Sequence, residues 1–401
     1  MKTIRQMLSF FALSISLICA SCNTNHVESI DSSSISIDID NCQDLETQSF
    51  IDKIEIIPLE TNDNCLLDQY DQVVYCEDLN AYLIIDEQQT VSLFSENGEF
   101  IADSKNCRGK GPKEYQILAD ANYNPFTKSI DILSPYGTIY SYNTDFKFIQ
   151  KRVLNSDNHQ TYSKGYPIGK NKYILQPTIL KANDAALYFC DYEKNEIIAI
   201  NSYEKDFICS LTLGYPPFFK KNGDLYFSPN NLNYHIYKVD TKENKLTPAI
   251  NFSIENGMIS KEELINRFGN MSATQTDRNT LEKTIQTLNN VTTYLLGSEY
   301  PIPLIKLCND SYLYLYMMKK GKRMTVLYDR TNGVTLLQTD KHKKRLSYCT
   351  HLEGNTLTAI IQPEEIEKYI DTNLLNDENK KKLQAVQEDD NPIIVKYQIK
   401  K

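Results

Sequence analysis

The segment Cys107-Arg-Gly-Lys-Gly-Pro-Lys-Glu-Tyr115 contains the densest cluster of turn-forming residues in this chain of 401 residues. Gly109 and Gly111 permit backbone turns that are closed to other residues, and Pro112 fixes its own φ. The segment separates two stretches that share the same order of short apolar runs. These runs are rich in β-branched and aromatic residues, as is typical of β-strands. The chain is therefore predicted to consist of repeated groups of strands joined by tight turns.

The group of strands occurs five times in full. The copies contain the apolar runs 81–85, 130–133, 173–175, 225–227 and 312–316. A polar residue ends the third strand of each copy, namely Ser95, Asn143, Asp191, Asp240 and Asp329. The first four of these residues follow one another at a nearly constant spacing of about 48 positions, which is typical of a β-propeller with four strands in each blade. An insertion explains the longer gap before the fifth.

The two ends of the chain are predicted to complete one further blade. The last copy, formed by 356–361 and 392–399, is one strand short, and 50–59 reads as a strand that belongs to no copy. Pairing the strands from both termini closes the ring and removes a free sheet edge. The predicted fold is therefore all-β, a six-bladed β-propeller of four-stranded antiparallel blades.

Two helical insertions interrupt the repeat. The first, near 254–298, contains a capping box of Ser260 and Glu263 followed by apolar residues at helical spacing. The second, near 363–388, begins with a short apolar stripe and continues as a charged, solvated run. We expect both insertions to lie on the surface of the propeller.

The N-terminal residues predict export and anchoring. Residues 1–21 combine basic residues, an apolar run and small residues before Cys22, which is the layout of a signal peptide. The stretch Leu17-Ile-Cys-Ala-Ser-Cys22 resembles a bacterial lipobox, whose cysteine becomes the lipidated N-terminus, although Cys19 stands where the pattern prefers Leu. We expect a lipidated, flexible tether at 22–48, a propeller domain at 49–401, and a lipid anchor in the cell envelope, on the outer membrane and facing the periplasm or the surface. The alternative is a plain secretory signal cut nearby.

A family resemblance rests on three segments. Pro58-Leu-Glu-Thr61, Phe94-Ser-Glu-Asn-Gly98 and Arg108-Gly-Lys-Gly-Pro-Lys-Glu-Tyr115 resemble the six-bladed β-propeller lipoproteins of Bacteroidetes-type bacteria. The corresponding phrase in that family is close to Gly-x-Gly-Pro-Gly-Glu-Tyr, from which this chain departs at Lys113. Members of the family are largely uncharacterised, so the resemblance implies the fold and the anchor and little biochemistry.

Two roles are open for the turn-rich segment. Its residues either form a clasp between the first two blades or present Arg108 and Lys110 to an anionic ligand group. The candidate residues are Arg108, Gly109, Lys110, Gly111, Pro112, Glu114 and Tyr115. A phosphate-binding loop is excluded, because the Gly-x-x-x-x-Gly-Lys-Ser/Thr pattern and a following helix are missing.

Other chemistry is poorly supported by the sequence. A formal net charge of −9 argues against nucleic acid as a partner. No zinc-protease, serine-hydrolase or EF-hand motif occurs, and the histidines are too far apart to pair by local spacing. These are His26, His159, His235, His342 and His351. Four acids at strand ends either converge on an ion in the channel or bind turn amides, namely Asp86, Asp191, Asp240 and Asp329.

These observations favour a non-catalytic, monomeric envelope module that binds an unidentified ligand, a partner protein or a glycan through one face decorated by the inserted helices. No catalytic residue, metal ligand or cofactor is identified, with calcium as the alternative cofactor. The tyrosines at 312–316 are expected to pack within a blade, and the absence of Trp argues against a sugar platform. The alternative function is a metal-dependent, lactonase-like hydrolase or lyase with its site in the central channel.

Overall fold

A computed structural model describes residues 24–26, 33–67, 69–154, 160–178, 187–202, 215–230, 232–255, 257–269 and 278–401. Within these ranges the strands form six sheets, each built on four antiparallel strands, that are arranged as the blades of a β-propeller. Two of the sheets carry one additional strand at their outer edge. The all-β, six-bladed fold predicted from the repeat is confirmed.

The strands follow the chain in blade order. Three precede the first complete blade: β1 (Thr24–His26), β2 (Ser33–Ile37) and β3 (Ile51–Pro58). Blades one to three contain β4 (Tyr70–Cys76), β5 (Ala81–Asp86), β6 (Val91–Ser95), β7 (Phe100–Asp103), β8 (Asp120–Asn124), β9 (Ser129–Leu133), β10 (Ile139–Tyr142), β11 (Phe148–Arg152), β12 (Tyr162–Pro167), β13 (Lys172–Pro177), β14 (Leu187–Asp191) and β15 (Glu196–Ser202). Blades four to six contain β16 (Phe218–Lys221), β17 (Asp224–Phe227), β18 (His235–Asp240), β19 (Lys245–Ile254), β20 (Ile302–Cys308), β21 (Tyr312–Lys319), β22 (Lys322–Asp329), β23 (Val334–Thr339), β24 (Cys349–Glu353), β25 (Thr356–Ile361) and β26 (Ile393–Ile399).

The ring closes through strands from opposite ends of the sequence. Blade six has the order β24-β25-β26-β3, so its outer strand precedes the first blade in the chain. Ile54 lies opposite Tyr397, and Ile56 lies opposite Val395. The predicted pairing of strands from the two termini is confirmed. Because β26 and β3 pair with each other, neither strand lacks a partner.

The polar residue that repeats along the sequence caps a hairpin in each of the five blades. Asp240, for example, accepts hydrogen bonds from the amides of Lys242 and Glu243 at 2.9 Å. Asp191 and Asp329 accept from the amides two and three residues further on in the same way, and Ser95 and Asn143 accept from the amides two and four residues further on. Short polar side chains favour such turns because they satisfy amides that the ladder leaves free. The repeat seen in the sequence therefore records the turn between the third and fourth strands of each blade.

Residues 33–50 form a strap along the outer edges of three blades, which differs from the flexible tether predicted for 22–48. Strand β2 pairs in parallel with β19 of blade four, and Asp44 then bridges to Leu337 of blade five. A single helical turn, α1 (Thr47–Phe50), leads into β3 of blade six. This stretch is rich in Ser, so its composition does not indicate that Ile35 and Ile37 are buried. Further towards the N-terminus, β1 pairs in parallel with β15 of blade three.

His342 attaches the strap to blade five through contacts with two acids. Its Nε2 lies 2.8 Å from Asp44 Oδ1, and its Nδ1 lies 3.0 Å from Glu46 Oε1. Burial alone lowers the pKa of His342, but the hydrogen bonds with Glu46 and Asp44 outweigh burial and raise this pKa above its ordinary value of 6.5. Burial alone raises the pKa of the Asp44 carboxyl, but hydrogen bonds from Thr339 and His342 outweigh burial and lower this pKa below its ordinary value of 3.8.

We expect the strap to loosen as the pH rises. A raised histidine pKa contributes stability that is complete below the unfolded value and is lost as the pH rises through the folded value. Protection of the Leu45 amide, which donates to Leu337 O at 2.8 Å, should therefore fall as the pH rises above 6.5, the ordinary pKa of the His342 imidazole. Hydrogen exchange, corrected for intrinsic rates, measures this protection. In His342→Gln the protection should not change over that range, and an equal pH dependence in both proteins would contradict the assignment.

The insertions form helices on one side of the ring. The first contains α2 (Lys261–Phe268) and α3 (Arg278–Gly297), and the second contains α4 (Ile366–Tyr369) and α5 (Asp377–Ala385). Ser260 caps α2 as predicted by accepting from the Glu263 amide at 3.1 Å. The Glu263 carboxylate instead accepts from the Tyr294 and Tyr300 hydroxyls. None of the described helices combines the length and the apolar character needed to cross a bilayer.

The two sides of the ring carry different connections, because successive strands in a blade are antiparallel. We call one side the hairpin face; it carries the turns between first and second strands, at 77–80, 125–128, 168–171, 222–223, 309–311 and 354–355. We call the other side the insertion face; it carries the connection 104–119 and helices α2 to α5. This division places the turn-rich segment and the helices together, and it leaves the hairpin face open.

Apolar packing between blades forms the core. Tyr314 of the Tyr-rich strand is fully buried, and its hydroxyl accepts from the Cys349 amide at 2.9 Å, which joins blade five to blade six. These tyrosines pack inside the fold, as their sequence pattern indicates. The cysteines in the described ranges are free thiols, namely Cys42, Cys65, Cys76, Cys107, Cys190, Cys308 and Cys349.

Candidate functional site

The turn-rich segment lies between blades one and two on the insertion face. Its ends pair with each other: the Gly109 amide donates to Tyr115 O at 3.0 Å, and the Tyr115 amide donates to Cys107 O at 3.1 Å. The fully buried Tyr115 donates its hydroxyl to Gln89 O of blade one at 2.8 Å. Tyr142 of blade two donates to Lys113 O at 2.8 Å. The segment thus contacts both of its neighbouring blades.

The glycines of this segment make room for Glu114 and do not supply unusual backbone angles. Neither Gly109 nor Gly111 has a positive φ. A Cβ on Gly109 would lie 2.0 Å from Glu114 Oε2, and this carboxylate accepts from the Gly111 amide at 2.8 Å. The turn therefore needs glycine because a carboxylate closely approaches the backbone.

The charged residues of the segment extend outward. Arg108 is exposed and donates to Gln88 O at 2.5 Å, while Lys110 and Pro112 are exposed beside it. A role of these residues in meeting an anionic ligand stays a prediction. The contacts of the buried residues in the same segment account for its turn-forming composition without a ligand.

A polar groove lies on the hairpin face between blades six and one, and we call it the blade-six groove. Its cavity has a volume of about 230 Å³. The lining residues are Lys53, Glu55, Tyr75, Tyr82, His351, Glu353, Thr356, Thr358, Lys396 and Gln398. Eight of these ten residues belong to the four strands of blade six, so the strand register decides which of them meet.

Cross-strand pairing arranges the polar residues of blade six in two parallel rows. One row consists of His351, Thr358, Lys396 and Glu55, and the other consists of Glu353, Thr356, Gln398 and Lys53. Further along the same side of the sheet, a third row contains Ile360, Ile394 and Ile57. The apolar row packs against Tyr82, Ile84 and Phe94 of blade one. The two blades are thus joined by apolar contacts at one end and separate around a polar cavity at the other.

Two tyrosines of blade one form the opposite wall. The rings of Tyr75 and Tyr82 lie 5.1 Å apart and are tilted by 46°. The His351 ring lies 5.4 Å from the Tyr75 ring and is tilted by 57° to it. Tyr82 is 1% exposed, and its buried hydroxyl has no hydrogen-bond partner. His351 Nε2 is also buried without a hydrogen bond, and Glu353 Oε2 lies 4.0 Å from it. Buried polar groups are nearly always hydrogen-bonded, so these two atoms mark a position for a ligand or for water.

The groove has a balanced charge. It contains two lysines and two glutamates, and Glu353 Oε2 lies 4.0 Å from His351 Nε2. The His351 imidazole lowers the pKa of the Glu353 carboxyl. Burial, together with the charges of Glu353 and other acids, raises the pKa of Tyr75, and burial likewise raises that of Tyr82. Both hydroxyls therefore stay protonated at neutral pH and can donate or accept hydrogen bonds.

The central channel opens beside the groove, and Tyr75 and His351 line both cavities. The channel mouth has a volume of about 80 Å³, and its other aromatic residues are Tyr123, Tyr166, Phe218 and Phe219. A ligand in the groove can therefore extend towards the channel without leaving the surface of the protein.

Polar residues deeper in the channel bind one another. Asp120 of blade two accepts from Gln72 of blade one at 3.0 Å and from the Gly165 amide of blade three at 2.9 Å. Lys164 of blade three lies 3.6 Å from Asp120 and also donates to Gln72. Across the ring, the buried Lys306 donates to Pro229 O at 2.5 Å. These bonds join neighbouring blades around the channel.

The acids considered as channel ligands bind turn amides. Asp86 accepts from the Thr90 amide at 2.8 Å, and Asp191, Asp240 and Asp329 cap the hairpins already described. Among the described residues, no group of three or more His, Cys, Asp or Glu side chains is placed to hold a metal ion. His159 lies outside the described residues, and of the other histidines only His351 lines the groove. Its isolated position in the sequence gave no sign of this placement.

Comparison with known proteins supports the fold. The model of the family described as "Domain of unknown function (DUF4934)" matches residues 32–398, and the chain belongs to this family. A Bacteroides fragilis protein named as exported has a crystal structure that matches 92% of this chain and 100% of its own, with a TM-score of 0.68 and 19% identity. No curated protein matches the chain.

Two further structures are much less similar to this chain. The WD40 repeats of RRP9 cover 87% of this chain and 98% of their own with a TM-score of 0.37 and 9% identity. A protein of unknown function from Bacteroides caccae covers 48% of this chain and 69% of its own with a TM-score of 0.27 and 11% identity.

Proposed function

We propose that this member of the family is an exported lipoprotein of the cell envelope that binds a ligand or partner in the blade-six groove without transforming it. The signal-like residues 1–21 and the lipobox cysteine Cys22 support export and anchoring. The name of the Bacteroides fragilis protein with the same fold agrees with export.

One observation carries the binding role: two rows of polar residues stand at an interface between blades. Tyr82 Oη is buried there without a hydrogen bond, and His351 Nε2 is buried with only a 4.0 Å ion-pair contact to Glu353. Apolar residues at these positions would join the blades more firmly, because burying polar groups without partners costs free energy. A ligand that satisfies both atoms removes this cost. Pre-formed polar groups that converge on a cavity are characteristic of binding sites.

A metal-dependent hydrolase in the channel is the weaker candidate. Its most deeply placed acid, Asp120, already accepts hydrogen bonds from Gln72, Asn122 and Gly165. A carboxylate with these donors has little capacity left to hold an ion or to move a proton. The channel acids therefore join the blades, and the groove is the better site.

Capture from an envelope extract of the producing cells tests the proposal. The double variant Lys53→Ala/Lys396→Ala removes two groove cations, while Asp52→Ala changes an exposed residue on the same strand outside the cavity. Wild type and Asp52→Ala should hold the same bound protein or glycan, and the double variant should hold about tenfold less. Equal capture by all three proteins, or specific capture by none, would contradict the binding role.

A further inference from the structure

We infer that the ligand of the blade-six groove is a neutral carbohydrate, bound through a single pyranose ring with its hydroxyls towards blade six. This inference rests on the proposed function, because it names the ligand class of the same site. It follows from four properties of the groove: its mixed walls, its charge, its size and its continuity with the channel mouth.

The two walls of the groove call for a ligand with two kinds of surface. Blade one presents the aromatic rings of Tyr75 and Tyr82. Blade six presents donors on Lys396, acceptors on Glu55, and both on Gln398. A pyranose ring has an apolar C–H face that packs against an aromatic ring, and hydroxyls around its edge that donate and accept. Such a ring satisfies both walls at once.

The charge of the groove excludes strongly charged ligands. Two lysines face two glutamates, so an anion or a cation would meet repulsion as well as attraction. Arginine forks, which are preferred for phosphate and carboxylate recognition, are missing from the lining residues. A neutral ligand meets neither repulsion and can form hydrogen bonds with both the lysines and the glutamates.

The size of the groove fits one sugar ring. Its volume of 230 Å³ corresponds to the space of about seven or eight water molecules at about 30 Å³ each. A hexose fills this space, and the channel mouth, which shares Tyr75 and His351, offers about 80 Å³ beside it. The buried Tyr82 hydroxyl and His351 Nε2 then bind sugar hydroxyls that reach the interior of the groove. Tyr75 takes the stacking role that Trp performs in many sugar sites.

Saturation-transfer NMR on the full mature chain tests this inference. The probes are glucose, galactose, mannose, fucose and N-acetylglucosamine with their disaccharides, and glucose 6-phosphate serves as the charged comparison. At least one neutral sugar should bind in the groove, and glucose 6-phosphate should bind more weakly than that sugar. Tyr75→Ala should weaken this binding about tenfold, Tyr75→Phe should largely preserve it, and Asp52→Ala should leave it unchanged. Glu55→Gln, which retains an acceptor, should weaken it by a smaller factor.

The outcomes separate this inference from the proposed function. If no neutral sugar binds, or if Tyr75→Ala binds as well as wild type, the carbohydrate assignment is overturned. In that case the captured material still decides whether the groove binds a protein. If glucose 6-phosphate binds more tightly than every neutral sugar, the ligand is anionic and the inference also falls. Unchanged thermal unfolding of Tyr75→Ala shows that lost binding does not come from lost folding.

Discussion

Tyr397→Ala should lower the free energy of unfolding by about 3–5 kcal/mol, the range found for large aromatic residues truncated in a core. Tyr397 is fully buried in β26, the blade-six strand that pairs with β3, and it lies opposite Ile54 and Leu357. Its hydroxyl donates to Tyr369 O at 3.1 Å and accepts from the Ser347 amide at 3.3 Å. The substitution therefore removes a core ring and also leaves two buried backbone groups without a partner.

Two variants divide this effect into parts. Tyr397→Phe keeps the ring and should cost about 1–2 kcal/mol for the two lost hydrogen bonds. Tyr136 is 69% exposed, so Tyr136→Ala should change stability by less than about 0.5 kcal/mol. Urea denaturation followed by circular dichroism measures all three. If Tyr397→Ala were as stable as Tyr136→Ala, the packing of β26 would not hold the ring together.

Gly98→Ala should lower the free energy of unfolding by more than about 2 kcal/mol, because the change strains the backbone and also creates a clash. Gly98 has a φ of +87° in the third turn of blade one, and an added Cβ would lie 2.4 Å from Pro58 O. The Glu60 amide donates to Gly98 O at 2.7 Å, so the turn cannot move away without breaking this bond. The turn thus fastens blade one to the end of the closing strand β3.

Gly333 provides the matched control. It occupies the equivalent turn of blade five with a φ of +67°, but the nearest atom to its added Cβ is Tyr328 Oη at 3.7 Å. Gly333→Ala should therefore lower the free energy of unfolding by only about 1–2 kcal/mol, the cost of placing a residue with a Cβ in the left-handed region. The difference between the two unfolding free energies, measured in urea, isolates the clash with Pro58. Equal costs would mean that blade one and β3 separate easily.

The fold could be predicted because each repeat contains the same kind of hairpin cap, which depends on residues close together in the sequence. A polar residue caps the same hairpin in five blades, and this cap is visible in the sequence as Ser95, Asn143, Asp191, Asp240 and Asp329. The closing strand could be predicted by counting, since one copy lacked a strand and 50–59 was unassigned. The strap could not be predicted, because β2 is short and its serines hide the two isoleucines that dock it.

The groove could not be predicted for a different reason. Its polar residues come from segments near 53–55, 351–358 and 396–398, and each segment alone shows the ordinary alternation of a half-exposed strand. Only the register of four strands aligns them in rows opposite Tyr75. The turn-rich segment at 107–115 drew attention instead, because glycine and proline are conspicuous in a sequence while a shared row is not. The inserted helices lie on the insertion face, whereas the groove lies on the hairpin face.

Ring closure also determines when this molecule can become compact during its biogenesis. Strand β3 emerges early from the ribosome, and its partner β26 emerges last. During synthesis blade six therefore stays incomplete, because the contact of highest sequence separation is still unavailable. The ring can close only once β26 has been made, so we expect closure to be the last step of folding.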